Sequence, residues 1–161
     1  LDQSNNIQEV NWQIYHSKVG LGNGGITGVG IGDGSMKRGF LPEAHTDFIF
    51  SVIGEEFGFI VVLIIIGLFT WLFIRGIQIS KNAPDAFGII LSMGLVLNIL
   101  IYFVINVAYV SGMLPTTGLP MPFISYGGSH TIFTLAGMGI LLNISRASNL
   151  NFRHSFRNRY A

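Results

Sequence analysis

The chain has 161 residues, of which 50% are hydrophobic and only 11% are charged, and it contains no cysteine. A soluble domain carries roughly 25% charged residues, so this composition excludes an ordinary water-facing surface. The high apolar fraction excludes intrinsic disorder, and the lack of cysteine excludes disulfides, thiolate zinc sites and thiol nucleophiles. Nine Lys and Arg against eight Asp and Glu are too balanced for the basic stripe of a nucleic-acid-binding protein, so no nucleic-acid partner is expected.

The first 49 residues are polar and glycine-rich. A weak amphipathic pattern over residues 1–19 predicts a helix lying at a membrane interface. Residues 20–39 contain nine of the 21 glycines, but their spacing matches neither the phosphate-binding loop nor the dinucleotide fingerprint. Such glycine density allows positive φ angles and close approach of the backbone to a ligand. A flexible linker is the alternative interpretation.

A dense polar motif, LPEAHTDFIFSVIGEEFG, follows at residues 41–58. If a helix starts here, Glu43 and Asp47 lie at i and i+4 on one face, near the positive end of the helix dipole. Glu55 and Glu56 then lie about 12 Å deeper along the helix. Acids at that depth indicate a functional site by default. The alternative is that the first two acids cap the helix and the two glutamates pair with cations on other helices.

His45 lies two residues before Asp47, with Ser35 upstream. A catalytic triad is defined by geometry and not by proximity in sequence, so we interpret His45 as a hydrogen-bonding residue. No dedicated metal site is predicted, because no paired histidines have ligand spacing. Glu43, His45 and Asp47 could together hold a loosely bound divalent cation, magnesium or manganese, beside a diphosphate.

Three membrane-spanning helices are predicted, over about 50–75, 86–112 and 124–145. Residues 57–74 and 86–145 contain no charged side chain. An 18-residue helix rises about 27 Å, which spans most of the hydrocarbon core of a bilayer. The sequence therefore predicts an all-α, polytopic membrane helix bundle, and we expect the chain to be the C-terminal part of a larger protein.

The positions of Lys and Arg predict the orientation of these spans. The short loop after the first span and the basic tail at 146–161 are expected in the cytoplasm. Residues 1–49 and the turn at 112–123 are then extracytoplasmic. The extracytoplasmic segment nevertheless keeps three cations near the membrane, which indicates an anionic ligand. These cations are Lys18, Lys37 and Arg38.

A second polar segment, MLPTTGLPMPFISYGGSH, occupies residues 113–130. Its three prolines predict an irregular loop, and irregular backbone at membrane depth persists only inside protein or beside a water-filled cavity. Ser125, Gly127 and Gly128 are therefore candidate substrate-binding residues, although the two glycines are equally typical of close helix packing. Asn106, in the second span, is interpreted as a packing residue.

The segments GDGSMKRGFLPEAHTDFIFSVIGEEFG and INVAYVSGMLPTTGLPMPFISYGGS resemble the C-terminal part of the SEDS family, the FtsW, RodA and SpoVE proteins. The resemblance covers about residues 13–146 and leans slightly towards the division-type FtsW proteins. It implies a multi-pass enzyme of the bacterial plasma membrane, with about ten spans. It departs from the family pattern at His130, where the family usually has a serine.

The resemblance also implies a function: polymerisation of lipid II, the undecaprenyl-diphosphate-linked disaccharide peptide, into glycan strands during cell division or cell-shape maintenance. It implies a class B penicillin-binding protein as partner and an essential role for Asp47. The 161 residues alone are expected to be inactive.

The residues themselves suit this chemistry. Glycosyl transfer from a lipid diphosphate needs a base for the attacking hydroxyl and positive charge for the departing diphosphate. Asp47 is predicted to be the general base, and Lys37 and Arg38 are predicted to bind the diphosphate. A flippase or transporter of lipid-linked precursors is the alternative, because it also explains intramembrane acids and irregular glycine-rich segments. A scaffold explains the apolar helices but not acids beside cations.

Overall fold

The computed structural model describes residues 2–32, 34, 48–115 and 118–159. Within them the chain forms helices and connecting turns and no strand, which confirms the all-α prediction. The four helices are α1 (Asp2–Asn23), α2 (Ile49–Lys81), α3 (Ala86–Val110) and α4 (Gly128–Arg159). The predicted extracytoplasmic loop of residues 1–49 therefore starts with a helix, as its amphipathic pattern indicated.

Two helices of the described chain, α2 and α3, are long and apolar enough to cross a membrane. Their 33 and 25 residues exceed the roughly 20 residues that a span requires. Large apolar side chains cover their outer faces, including Phe59, Leu68 and Trp71 on α2 and Phe87 and Ile90 on α3, all of them exposed. An apolar surface of this kind is stable against lipid and not against water. The third predicted span, about 124–145, overlaps α4 and stays a prediction.

Helix α2 packs closely along α3. The rings of Phe69 and Phe103 stack with their centroids 4.1 Å apart. Towards the end of α2, a Cβ atom at Gly76 would lie 2.8 Å from Cγ1 of Val96, so only glycine permits this approach of the two helices. One turn later the Ser80 hydroxyl donates a hydrogen bond of 3.0 Å to the carbonyl of α3 residue Ile89. The two helices are therefore closely packed along this length.

Helix α3 ends in a left-handed glycine. Gly112 has φ of 72°, and its N–H donates to the Tyr109 carbonyl at 2.8 Å. The N–H of Met113 reaches back to the Ala108 carbonyl at 2.8 Å, which completes a Schellman motif. The predicted continuation of the span to residue 112 is therefore slightly too long, because a helix cannot proceed through this conformation.

Helix α1 is attached to the end of α3 and the start of α2 through one buried serine. The Ser17 hydroxyl lies 2.9 Å from the Val110 carbonyl, and the Ser51 hydroxyl donates to the Ser17 carbonyl at 2.6 Å. Trp12 and Tyr15 remain exposed on α1. These contacts place the start of α2, the end of α3 and the end of α1 together at one end of the bundle.

Candidate active site

The structure covers part of the predicted site. Five of the predicted site residues lie outside the described residues: Lys37, Arg38, Glu43, His45 and Asp47. The others belong to the segment between α3 and α4 and are described: Ser125, Gly127 and Gly128. The described site is therefore built from this segment, the start of α2 and the glycine-rich residues that follow α1.

The proline-rich segment is held to α3 by a buried amide. Asn106 is fully buried, and its Nδ2 atom donates to the Leu119 carbonyl at 2.9 Å and to the Tyr109 hydroxyl at 2.6 Å. Tyr109, also buried, donates its hydroxyl to the same Leu119 carbonyl at 3.1 Å. These bonds satisfy a carbonyl in a stretch that has no helix of its own. The interpretation of Asn106 as a packing residue agrees with this geometry.

A second set of bonds shapes the turn that precedes α4. The Met121 N–H donates to the Ser125 hydroxyl at 2.8 Å, and the Ser125 N–H donates to the Met121 carbonyl at 3.1 Å. Phe123, between them, adopts φ of 67°, a left-handed conformation that bulky residues rarely take. The hydroxyl of Ser125 thus fixes the backbone of the turn. Helix α4 begins at Gly128 and not near residue 124 because this turn interrupts the chain.

An open cavity of about 860 Å³ lies between this turn, the first turn of α4 and the start of α2. Its volume falls in the range of small-molecule sites. Apolar side chains line it together with the backbone of the two glycines and a few polar groups. The lining residues are Ile49, Phe123, Ile124, Ser125, Tyr126, Gly127, Gly128, Thr131 and Ile132.

Gly127 and Gly128 open onto this cavity. A Cβ atom at Gly128 would meet no described atom within 4 Å, and one at Gly127 would come no closer than 3.7 Å. A close helix contact would instead bring backbone or side-chain atoms against the glycine, as happens at Gly76. Among the described residues, these two glycines therefore make no close helix contact of the kind seen at Gly76, and their role in substrate binding stays a prediction.

The first turns of α2 are separated from the rest of the helix by a break at Gly58. This residue has φ of 80° and ψ of −177°, a conformation that is essentially confined to glycine. We call residues 24–32 the glycine segment. Its backbone fills the break: the N–H groups of Val29 and Gly30 donate to the carbonyls of Glu55 and Glu56 at 3.0 and 3.1 Å.

The other side of the break is satisfied by the same segment. The N–H of Phe59 donates to the Gly25 carbonyl at 3.0 Å, and the N–H of Ile60 donates to the Ile26 carbonyl at 3.4 Å. Helix ends leave such groups without intrahelical partners. Four backbone hydrogen bonds from one short segment therefore replace those that the break in α2 removes.

The glycines of this segment allow it to lie directly on the helix. A Cβ at Gly24 would collide with the Gly54 carbonyl oxygen, and one at Gly28, which has φ of 82°, would collide with the Glu56 carbonyl oxygen. The sequence allowed two interpretations of the many glycines, a flexible linker or a backbone that lies close to another group. For the described residues, the structure shows the second. The backbone approached is that of α2.

Two glutamates lie at the break, and both are buried: Glu55 is 1% exposed and Glu56 is 4% exposed. The Oε1 atom of Glu56 accepts a hydrogen bond of 3.2 Å from the N–H of Gly32. At Gly34 a Cβ would lie 2.9 Å from Oε2 of Glu55 and 3.2 Å from Cγ of Glu56. The acids that the sequence singled out therefore face the chain that leads towards the polar motif.

The polar side chains at the boundary of α3 and α4 form a separate group. The rings of Tyr102 and His130 lie 4.8 Å apart, and both border a smaller cavity of about 400 Å³ together with Asn98. In the described part of the chain, no group of three His, Asp or Glu side chains is arranged to hold a metal ion. The candidate cation ligands of the polar motif lie outside that part.

The described residues form an all-helical bundle with two membrane-capable helices and an open cavity at one end, an architecture typical of polytopic helical membrane proteins. The family model of the FtsW/RodA/SpoVE proteins, described as cell cycle proteins, matches residues 1–150. The chain belongs to the FtsW/RodA/SpoVE family.

Curated relatives give this assignment more detail. The chain is 50% identical over 141 residues, 88% of its length, to the probable peptidoglycan glycosyltransferase FtsW of Trichlorobacter lovleyi. It is 44% identical over 137 residues, 85% of its length, to the stage V sporulation protein E of Bacillus subtilis. It is 41% identical over 145 residues, 89% of its length, to the peptidoglycan glycosyltransferase MrdB of Escherichia coli. The chain spans 37%, 37% and 39% of these proteins, respectively.

A solved structure has the same fold. It is described as "Structural coordination of polymerization and crosslinking by a peptidoglycan synthase complex", and one of its chains matches with a TM-score of 0.67 and 32% sequence identity. The match covers 83% of this chain and 37% of that one. The family resemblance inferred from the two sequence motifs is therefore confirmed.

Sequence reasoning missed two features of the site. It did not foresee the break at Gly58, because a single glycine in an apolar run is also typical of helix packing. It also assigned Ser125 only to substrate binding, whereas its hydroxyl holds the turn through Met121. The pairing of a glycine-rich segment with a glycine inside the following helix was the available signal.

Proposed function

We propose that this chain carries the catalytic loop and last helices of a peptidoglycan glycosyltransferase that polymerises lipid II in the bacterial plasma membrane. The observation that carries the proposal is the open cavity of about 860 Å³ bordered by Ile49. Asp47 precedes Ile49 by two residues, and two residues of chain extend at most about 7 Å. The names of the relatives, two of them peptidoglycan glycosyltransferases, support the reaction.

In this proposal Asp47 is the general base. The hydroxyl oxygen of one sugar attacks the anomeric carbon of another, and the hydroxyl proton passes to the carboxylate of Asp47. The bond between the anomeric carbon and the diphosphate oxygen breaks, and the diphosphate departs with the electron pair. Lys37 and Arg38 stabilise its negative charge. An α-linked donor and a β-linked product need one inverting displacement, so Asp47 forms no covalent intermediate.

The remaining site residues bind the substrate. We propose that the backbone of Gly127 and Gly128 and the turn fixed by Ser125 contact the sugars, and that Glu43 and His45 lie around the same substrate. A divalent cation held by the acids would neutralise part of the diphosphate charge. The family's solved complex concerns both polymerisation and crosslinking, which supports a class B penicillin-binding protein as partner. The polar motif and the cavity then lie on the extracytoplasmic side, and residues 146–161 in the cytoplasm.

The alternative function is a flippase for lipid-linked precursors. Discontinuous helices such as α2 are typical of transporters, in which the free helix ends bind substrate or ions. Here four of the backbone groups at the break are occupied by the glycine segment. The break therefore serves chain anchoring, which favours the glycosyltransferase.

The test uses the full-length protein, purified in detergent, with lipid II as substrate. No two-sided membrane exists in detergent, so glycan polymer measures glycosyl transfer and not flipping. Asp47→Asn keeps the size of the side chain but accepts no proton at neutral pH, and we expect it to reduce polymerisation by about 10²- to 10⁴-fold. Glu43→Gln, one helical turn away in sequence, is the matched control and should retain more activity.

The outcomes separate the interpretations. A helix-terminal charge contributes only about 0.3–1 kcal/mol to stability, so a capping role predicts normal polymer from purified Asp47→Asn. That result would eliminate Asp47 as the base. Absence of polymer from the unmodified protein together with its partner would instead favour the flippase.

A further inference from the structure

We infer that Glu56 is a positioning residue, whose carboxylate fixes the glycine segment on α2 and thereby the chain that carries Lys37, Arg38 and Asp47. The inference rests on the proposed function for its effect on catalysis. The attachment of the glycine segment by Glu56 is supported by the contacts between described residues. In this positioning role, the Glu56 carboxylate contacts no reacting atom.

The contacts lie where the glycine segment leaves the helix break. Upstream of this point, backbone hydrogen bonds of the segment reach α2, through Val29 and Gly30. At Gly32 the partner changes from backbone to side chain, because its N–H donates to Oε1 of Glu56 at 3.2 Å. Two residues later, Gly34 is so close to both glutamates that an added Cβ atom would lie 2.9 Å from Oε2 of Glu55 and 3.2 Å from Cγ of Glu56. Glu56 thus extends the attachment beyond the reach of the helix backbone.

The two residues that flank 35–47 lie near the same short stretch of chain. Before them, Gly34 lies so close to Glu55 that a Cβ atom would be 2.9 Å from its Oε2 atom, and after them Phe48 is 2% exposed in the core. Glu55 lies seven residues after Phe48, which corresponds to about 10 Å along a helix. The closer the two ends are held, the fewer conformations the connecting chain has. An anchor at Glu56 therefore restricts the thirteen residues that contain the proposed base and cations.

A purely structural role for Glu56 is the competing explanation. In that case the buried carboxylate would contribute to the stability of the break, and its loss would lower the amount of folded protein without a specific effect on turnover. A direct charge effect on the substrate is the other alternative, and it would depend on the negative charge itself. The variants Glu56→Gln and Glu56→Ala distinguish these three roles, because the Gln side chain keeps an oxygen acceptor for the Gly32 N–H and loses the charge.

The experiment measures two properties of the same purified full-length variants. The first is kcat and KM for lipid II polymerisation per folded protein. The second is the mobility of a nitroxide spin label attached through Ile31→Cys, an exposed position in the glycine segment. The 161 residues contain no native cysteine, so the label attaches at one position of this chain. Ser80→Ala is the matched control, since it removes one buried hydrogen bond at the other end of α2.

We expect Glu56→Ala to increase the label mobility and to lower kcat by about 100-fold, because small misplacements of catalytic groups have effects of that size. Glu56→Gln should leave the label nearly as immobile as in the unmodified protein and keep kcat within about tenfold, because a neutral acceptor still binds the N–H. Ser80→Ala should change neither property.

Unchanged label mobility in Glu56→Ala would overturn the inference, as would equal losses of kcat in the Gln and Ala variants. Normal kcat per folded protein in Glu56→Ala, with a mobile label, would show attachment without positioning and would also overturn it. The label measurement does not depend on catalysis. A failure of the proposed function, seen as normal polymer from Asp47→Asn, is therefore distinguishable from a failure of the attachment.

Discussion

The break in α2 makes a quantitative prediction for Gly58→Ala. An alanine at φ of 80° and ψ of −177° is strained by about 1–3 kcal/mol. Its Cβ would also collide with backbone atoms of the glycine segment, the nearest ones in Gly28, Ile26 and Thr27. Since backbone cannot yield as a flexible side chain does, we expect α2 to straighten and the glycine segment to leave the helix.

The cost of that rearrangement follows from the bonds it removes. Four backbone hydrogen bonds between the segment and α2 are lost, each contributing about 1 kcal/mol. A continuous helix recovers part of this, because the N–H groups of Phe59 and Ile60 regain the carbonyls of Glu55 and Glu56 as intrahelical partners, and because alanine is about 1 kcal/mol more favourable than glycine inside a helix. We therefore expect a net loss of about 1 kcal/mol in the free energy of unfolding, together with loss of polymerisation.

Unfolding of the full-length protein by SDS in mixed micelles measures this loss. Gly67→Ala is the matched control in the same helix, because a Cβ there meets no described atom within 4 Å. That variant should be more stable than the unmodified protein by up to about 1 kcal/mol. Equal stability of Gly58→Ala and Gly67→Ala would refute the idea that the glycine segment closes the break.

Two further substitutions test the other anchors of the bundle end. Asn106→Leu removes the hydrogen bonds from the Asn106 amide to Tyr109 and Leu119 and should destabilise the protein by about 2 kcal/mol. It should also lower polymerisation, since the Leu119 carbonyl holds the turn beside the cavity. Asn98→Leu, at an exposed position of the same helix, should do neither. Ser17→Ala should cost about 1–2 kcal/mol in the same SDS titration, because it leaves the buried Val110 carbonyl without that donor. An unaffected unfolding midpoint in either variant would contradict the anchoring role.

The predicted spans and the observed helices agree at some ends and differ at others. Helix α3 starts at Ala86, where the second span was predicted to begin, and the charged Asp85 lies just before it. The first span was predicted to end near residue 75, and helix α2 continues to Lys81. Hydropathy indicates where a span leaves the lipid. The helix itself ends only where its intrahelical backbone hydrogen bonds end.

The start of α4 and the break in α2 were beyond sequence reasoning for a different reason. Residues 124–127 have an apolar and small-residue pattern that is compatible with a helix, yet the bond between Ser125 and Met121 makes them a turn. In the same way, Gly58 looks like an ordinary glycine of a span until the carbonyls of Gly25 and Ile26 supply partners for the freed N–H groups. The break at Gly58 is stable because the glycine segment supplies partners for its backbone groups, whereas the turn before α4 is closed by the Ser125 hydroxyl within the turn itself.

The need of the backbone groups at the break for hydrogen-bond partners also helps to distinguish a glycosyltransferase from a flippase. A transporter needs an element with two alternative arrangements that substrate can exchange. At the break in α2, any arrangement without the glycine segment would leave four backbone groups to find other partners. An inverting displacement has the opposite requirement, because base, acceptor and leaving group must stay in one geometry. A segment fixed by four backbone bonds and the Glu56 carboxylate is therefore the kind of support that we expect beneath a general base at Asp47.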